Sequence, residues 1–209
     1  MSGRYADLRK IPREPARRLL ARSNARLGTP ISAPAAAPVD VVLGELEGAG
    51  AQVDMLRLLS VALPARECIW GGCLAAEDVL HGAEVPRPLA AAQAWVFRPT
   101  AENRELARLS VETADPDDDT TLCATAVSMH DGKLGDGELA QYDAPPGGSA
   151  TAIFGMNLKS LGSVAPENFT AHYELLVERA LDIARGGNGR LGGQDGFDSA
   201  AGDPGAIVP

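Results

Sequence analysis

Aromatic residues make up only 4% of this 209-residue chain. A core so poor in rings must be assembled from Ala, Leu and Val, which suits closely approaching helices better than sheets of aromatic and β-branched residues. There are only three cysteines, Cys68, Cys73 and Cys123, and no C-x-x-C. That argues against a disulfide framework and the common zinc patterns, and predicts reduced, buried thiols in a cytoplasmic protein. No apolar run reaches the roughly 18 residues of a membrane span, and the Arg-rich start is not followed by the apolar stretch of a secretory signal. Arg17-Arg18 resembles a twin-arginine signal, but Leu19-Leu20-Ala21 runs straight into Arg22 and Arg26.

Charge is present in quantity but unevenly placed. Residues 1–39 hold eight cationic residues against Asp7 and Glu14, a net of +6, which leaves −15 for residues 40–209 in a chain of net charge −9. A basic arm therefore precedes an acidic body. The expected consequence is that the arm folds back on the body. The body's own charge argues against a nucleic-acid partner and nothing points to a membrane.

Punctuation by Pro and Gly divides the chain into helical segments. Residues 6–26 read as a short basic helix, and the Pro/Ala-rich residues 28–38 as an extended linker. Asp40 is an N-cap candidate for the next segment, and Pro64 starts the helix containing Cys68, Trp70 and Cys73. Pro86 and Pro88 lead into residues 89–97, Thr100 caps residues 101–111, and the acidic Asp115–Asp119 loop precedes residues 120–129. Segments at 149–161 and 166–185 follow, the second with Phe169, Tyr173, Leu176, Ala180 and Ile183 on one face. The expected fold is all-α: a single compact multi-helix domain of about seven or eight helices at residues 40–186. The basic arm and Pro/Ala linker occupy residues 1–39, and a disordered Gly-rich tail residues 187–209.

No catalytic, metal or cofactor constellation emerges. Cys68 and Cys73 are five apart, about 140° around a helix, and cannot clasp one metal together. The Asp115–Asp119 run lacks the Gly and Glu that a calcium loop needs in register. The unusual local feature is Trp70-Gly71-Gly72. Two glycines inside a helix cost about 1 kcal/mol each relative to Ala, so another body must approach that face closely. A neighbouring helix or the ring of Trp95 fits, and a ligand groove floored by Gly71 and Gly72 and walled by Trp70 is the alternative. Arg104 and Arg108, on the hairpin of residues 86–113, and His172 on the last helix are candidate contact residues for a protein partner.

Several stretches together carry a family resemblance: Leu8-Arg-Lys-Ile-Pro12; Leu63-Pro-Ala-Arg-Glu-Cys-Ile-Trp70 with Cys73; Ala94-Trp95 with Pro99-Thr-Ala-Glu-Asn-Arg104; and Tyr173 with Leu181-Asp-Ile-Ala-Arg-Gly186. They resemble an uncharacterised family of bacterial helical proteins often encoded near type VI secretion genes. The resemblance implies an all-helical accessory protein without an assigned catalytic set. The expectation is a non-enzymatic interaction or adaptor protein, with a ligand-binding or enzymatic pocket at Trp70-Gly71-Gly72 as the alternative.

Overall fold

A computed structural model describes residues 3–191. Among them the architecture is all-helical, with nine α-helices, two short 3-10 turns and no strand. The helices are α1 (Ala16–Arg22), α2 (Val39–Gly48), α3 (Gln52–Ala62), α4 (Ala65–Leu80) and α5 (Arg87–Phe97), then α6 (Ala101–Glu112), α7 (Thr121–Ser128), α8 (Gly148–Gly162) and α9 (Phe169–Arg185). None is long and apolar enough to cross a membrane.

Helix starts follow the punctuation closely. Pro38, Pro64 and Pro86 each stand in an extended conformation immediately before α2, α4 and α5, since proline fixes φ and lacks the N–H that a first turn leaves unpaired. Thr100 caps α6 by accepting the Asn103 N–H at 3.2 Å. Asp40 falls inside the first turn of α2 instead of capping it, where its charge favours the helix dipole. The basic segment is helical only over Ala16–Arg22, because Pro12 and Pro15 exclude an earlier start.

α4 is central. It packs against α8, α5, α9, α7 and α3, while α1 and α2 lie on α3 and the α5–α6–α7 group packs on the other side. Alanine permits this density: Ala75, Ala76, Ala92, Ala107, Ala124, Ala126 and Ala184 are wholly buried among Leu58, Ile69, Leu74, Val177 and Leu181. The short side chains let helix axes approach closely and still fill space.

The basic arm is part of this body. Ile11, Ala16, Leu19 and Leu20 are buried in the common core. Arg4 reaches Glu47, Glu174 and Glu178, and the Arg185 guanidinium donates to its carbonyl oxygen. The Lys10 N–H donates to the Ala184 carbonyl at 2.8 Å, and Lys10 Nζ pairs with Glu67 at 2.9 Å. Residues 28–33 are held by carboxylates: Asp54 accepts from Gly28 and Thr29, and Glu45 from Ser32 and Ala33. Burial pushes the Asp54 carboxyl up, but those N–H donors outweigh it and hold its pKa below the usual value. At the other end, residues 187–191 lie against α4 and α9, and residues 192–209 of the expected tail lie outside the described residues.

Gly147, in the left-handed region at φ 70°, opens α8. A Cβ there would run into the Ser23 carbonyl and lie 2.7 Å from the Ser23 Cβ. Gly147→Ala is therefore expected to cost about 2–4 kcal/mol in urea unfolding, from left-handed strain plus overpacking. Gly44→Ala has open space in mid-α2 and should gain up to about 1 kcal/mol.

Candidate functional site

The helical repeat of α4 sends Ile69, Gly72, Cys73 and Ala76 inward and leaves Trp70 half-buried on the outer side. The glycine pair meets helices. A Cβ on Gly72 would lie 2.6 Å from Ile153 Cδ1 and 3.0 Å from its Cγ2, so α8 presses directly on this position. At Gly71 a Cβ would sit 3.7 Å from Ile183 Cδ1 of α9, an ordinary contact. The anticipated close-approaching body is thus a helix, and Gly72 does not floor a groove.

Trp70 does border an open cleft of about 280 Å³, shared with Lys10, Arg66, Phe97, Ile183 and Asn188. Its ring meets Phe97 edge-on, with centroids 5.4 Å apart and planes inclined by 62°. The indole N–H donates to the Asn188 carbonyl at 2.6 Å. The Arg190 guanidinium lies 5.4 Å from the indole centroid and also bonds Glu77 at 3.1 Å. Arg66 Nε donates to the Val96 carbonyl at 2.6 Å, which fixes the C-terminal end of α5 against α4. Phe97, the last residue of α5, is 70% exposed, the most exposed of the large hydrophobic side chains described.

The other anticipated residues lie elsewhere. Trp95 is 4% exposed and packs on His130, ring centroids 4.5 Å apart, so it belongs to the core and not to the Trp70 cleft. Arg104 is not a surface contact residue. It is buried inside α6, where its guanidinium donates to both oxygens of Asp131 at 2.7 and 2.9 Å, to Asp136 at 3.0 Å, and to the carbonyls of Ser128 and Lys133. Burial pushes the Asp131 carboxyl up, but Arg104 and the Lys133 N–H outweigh it and hold its pKa low. Arg108 is partly exposed but clamped by Glu105 and Glu112 within its own helix.

His172 also points inward, its side chain 9% exposed. Its Nε2 meets Ser160 Oγ at 2.7 Å and lies 3.8 Å from Asp78 Oδ2. Asp78 is itself paired through both oxygens with Arg179, which is buried, with Nη2 to Oδ1 at 3.1 Å. A Ser–His–Asp relay needs the carboxylate on the ring nitrogen opposite the serine. Here both approach Nε2, and Ser160 is fully buried, so this cluster ties α4, α8 and α9 together and does no acyl chemistry.

The cysteines are free and buried. Burial pushes the Cys68 thiol up to about 12, and a hydrogen bond with Cys123, together with burial, raises Cys73. Cys68 and Cys73 therefore stay protonated at neutral pH and are poor nucleophiles. Among the described residues no group of three or more His, Cys, Asp or Glu side chains could hold a metal ion. The acidic loop makes local caps: Asp118 accepts from Thr120, and Asp119 pairs with Lys159 at 2.9 Å.

Among the described residues the fold is all-helical, the three thiols and His172 lie in the interior, and Trp70 and Phe97 border an open cleft. The chain belongs to the family of unknown function DUF6931, which matches residues 42–184, from within α2 to nearly the end of α9. No curated protein and no solved structure matches it.

Sequence reasoning missed Phe97, whose only signal is an aromatic at the end of a helix before Arg98-Pro99. It also missed the Asp78–Arg179 pair, whose members stand 101 residues apart.

Two outcomes test these assignments. Arg104→Ala takes a donor from Asp131, Asp136 and two carbonyls, and, since both carboxylates are partly exposed, should cost about 1–3 kcal/mol in chemical unfolding. Burial, with a further push from Arg179 and His81 and opposed by Asp78, holds the His172 imidazole below its ordinary value of 6.5. The unfolded chain then binds the proton more readily than the native one. Stability is complete above about pH 6.5 and falls as pH drops through the window below it. His172→Gln should flatten thermal stability between pH 6.5 and 5, and an unchanged slope would show that other groups carry it.

Proposed function

We propose that this chain is a non-enzymatic interaction module that holds a partner protein at the Trp70–Phe97 cleft, beside the tip of the α5–α6 hairpin. The carrying observation is Phe97: a large ring left 70% exposed, yet fixed edge-on against Trp70, with Arg66 in the same cleft and Arg190 over the Trp70 ring. Trp and Arg are the residue types most enriched among the few side chains that dominate protein–protein binding energy. A rigid pair also loses little rotamer freedom when it is covered.

Small-ligand binding or enzymatic use of the same cleft is less well supported. Gly72 lies under α8, and the cleft's acid–base groups, Lys10 and Glu67, neutralise each other. Three free, buried thiols suit a cytoplasmic setting. The resemblance to proteins encoded near type VI secretion genes makes a component of such a system the first partner class to test.

The test captures partners of the affinity-tagged full chain from native cells at near-physiological salt, with wild type and variant compared side by side. Phe97→Ser should weaken capture of a specific partner by roughly 30-fold, about 2 kcal/mol, while changing fold stability by under about 0.5 kcal/mol. Recovery of the same proteins by wild type and variant would sink the assignment.

A further inference from the structure

We infer that the outward face of α1 is a second docking surface, and that it takes an acidic segment of a partner protein. The face presents Arg17, Arg18 and Arg22 around Ala21, with Arg13 and Arg26 exposed at either end. The opposite side of the same helix, Ala16, Leu19 and Leu20, is buried in the core. The arginines are therefore carried on a fastened element and are not a loose basic tail.

Seven of the arm's eight cations fall into two groups, with Arg9 exposed outside both. Arg4 and Lys10 neutralise Glu47, Glu174, Glu178 and Glu67 of the body. Of the outward five, only Arg18 and Arg22 find an acid, and both share Glu14 at 3.6 and 3.5 Å. Arg13, Arg17 and Arg26 make no ion pair among the described residues. Arg17 bonds the Ile31 carbonyl at 3.5 Å, and its field reaches Glu45, whose carboxyl is held low first by the Ser32 and Ala33 N–H groups. The like charges at a spacing of four, Arg18 with Arg22 on α1 and Arg13 with Arg17 across its start, repel each other, and the single Glu14 carboxylate offsets them only in part. They are available to an outside anion.

The face itself selects the anion. α1 is about 10 Å long and spans few phosphates, so an extended polyanion would overhang it onto the body, whose described residues 40–191 carry −12, whereas a short segment stays on the arginine face. No aromatic stands on the face to stack a base, and nothing larger than Ala21 could enter a bilayer. A short acidic helix fits: its carboxylates four residues apart rise about 6 Å, the small Ala21 allows close approach, and guanidinium forks match carboxylates bidentately. The surface is independent of the aromatic cleft.

The experiment titrates the full chain into a fluorescein-labelled 16-residue peptide of alternating Glu-Glu-Ala-Ala, at 50 and 200 mM NaCl, by anisotropy. Binding at 50 mM that weakens about tenfold or more at 200 mM is expected. Arg17→Gln/Arg18→Gln/Arg22→Gln should lower affinity at least tenfold at 50 mM and keep or raise Tm, since it removes repulsion. Phe97→Ser should leave peptide binding unchanged, which separates this surface from the cleft. Absent binding at 50 mM, an unaffected triple variant, or a triple variant with a clearly lower Tm would overturn the inference. So would tighter binding to a 16-nucleotide single strand or to phosphatidylserine vesicles, or salt-sensitive self-association abolished by the triple variant, which would make a second copy the occupant.

Discussion

The contact on which the rest of the structure depends is the seating of Ile153 over Gly72. Because α4 has no side chain there, α8 can lie directly against its backbone, and the glycine's propensity cost of about 1 kcal/mol is offset by close packing. Everything else follows from the orientation this fixes. Two residues earlier on a helix is 200° away, so a buried Gly72 turns Trp70 to the opposite side, where its indole N–H must find a partner outside the bundle. It finds the Asn188 carbonyl after α9. The chain beyond α9 is drawn onto α4 by the same constraint, and the cleft beside Phe97 is its by-product.

Two buried arginines complete what alanine packing leaves open. Arg179 joins α9 to the last turn of α4 through Asp78, and Arg104 holds the polar segment after α7 through Ser128, Asp131, Lys133 and Asp136. Such pairs gain little net energy over an apolar core, since desolvation consumes most of the Coulombic attraction. Their value is directional: a guanidinium with five donors fixes a loop that has few apolar residues of its own. In a chain with so few aromatics, a fork of hydrogen bonds performs the bridging that a large ring would otherwise supply.

The helical skeleton was legible because it is written in local chemistry. Pro64, Pro86 and Thr100 mark their helix starts within a residue, Asp40 marked the next start about two residues late, and the glycine pair announced a close neighbour. What escaped was decided by distant partners. Arg104, Ala107 and Ser110 form the buried side of α6, a stripe that hydropathy reads as solvent-facing; only Asp131 and Asp136, some thirty residues on, make it an interior. His172 turns inward for the same kind of reason, since Ser160 and Asp78 belong to other helices. The arm was legible as charge but not as structure: eight cations obscure Ile11, Leu19 and Leu20, the buried side chains that fasten it together with the ion pairs of Arg4 and Lys10.

That fastening gives the chain its electrical shape. Had all the arm's cations turned inward, they would have cancelled part of the acidic body and left a nearly featureless anionic surface. Instead Arg4 and Lys10 perform the local neutralisation, and α1 keeps its arginines outward on a helix held by its apolar side. A fixed separation of positive and negative regions orients an approaching protein before contact, and it does so without the ordering cost a flexible basic tail would incur. An encounter guided by charge at α1 and a short-range grip by rings at Trp70 and Phe97 draw on different physics. Salt weakens the first and leaves the second almost untouched, so the two surfaces can act on one partner and still be told apart.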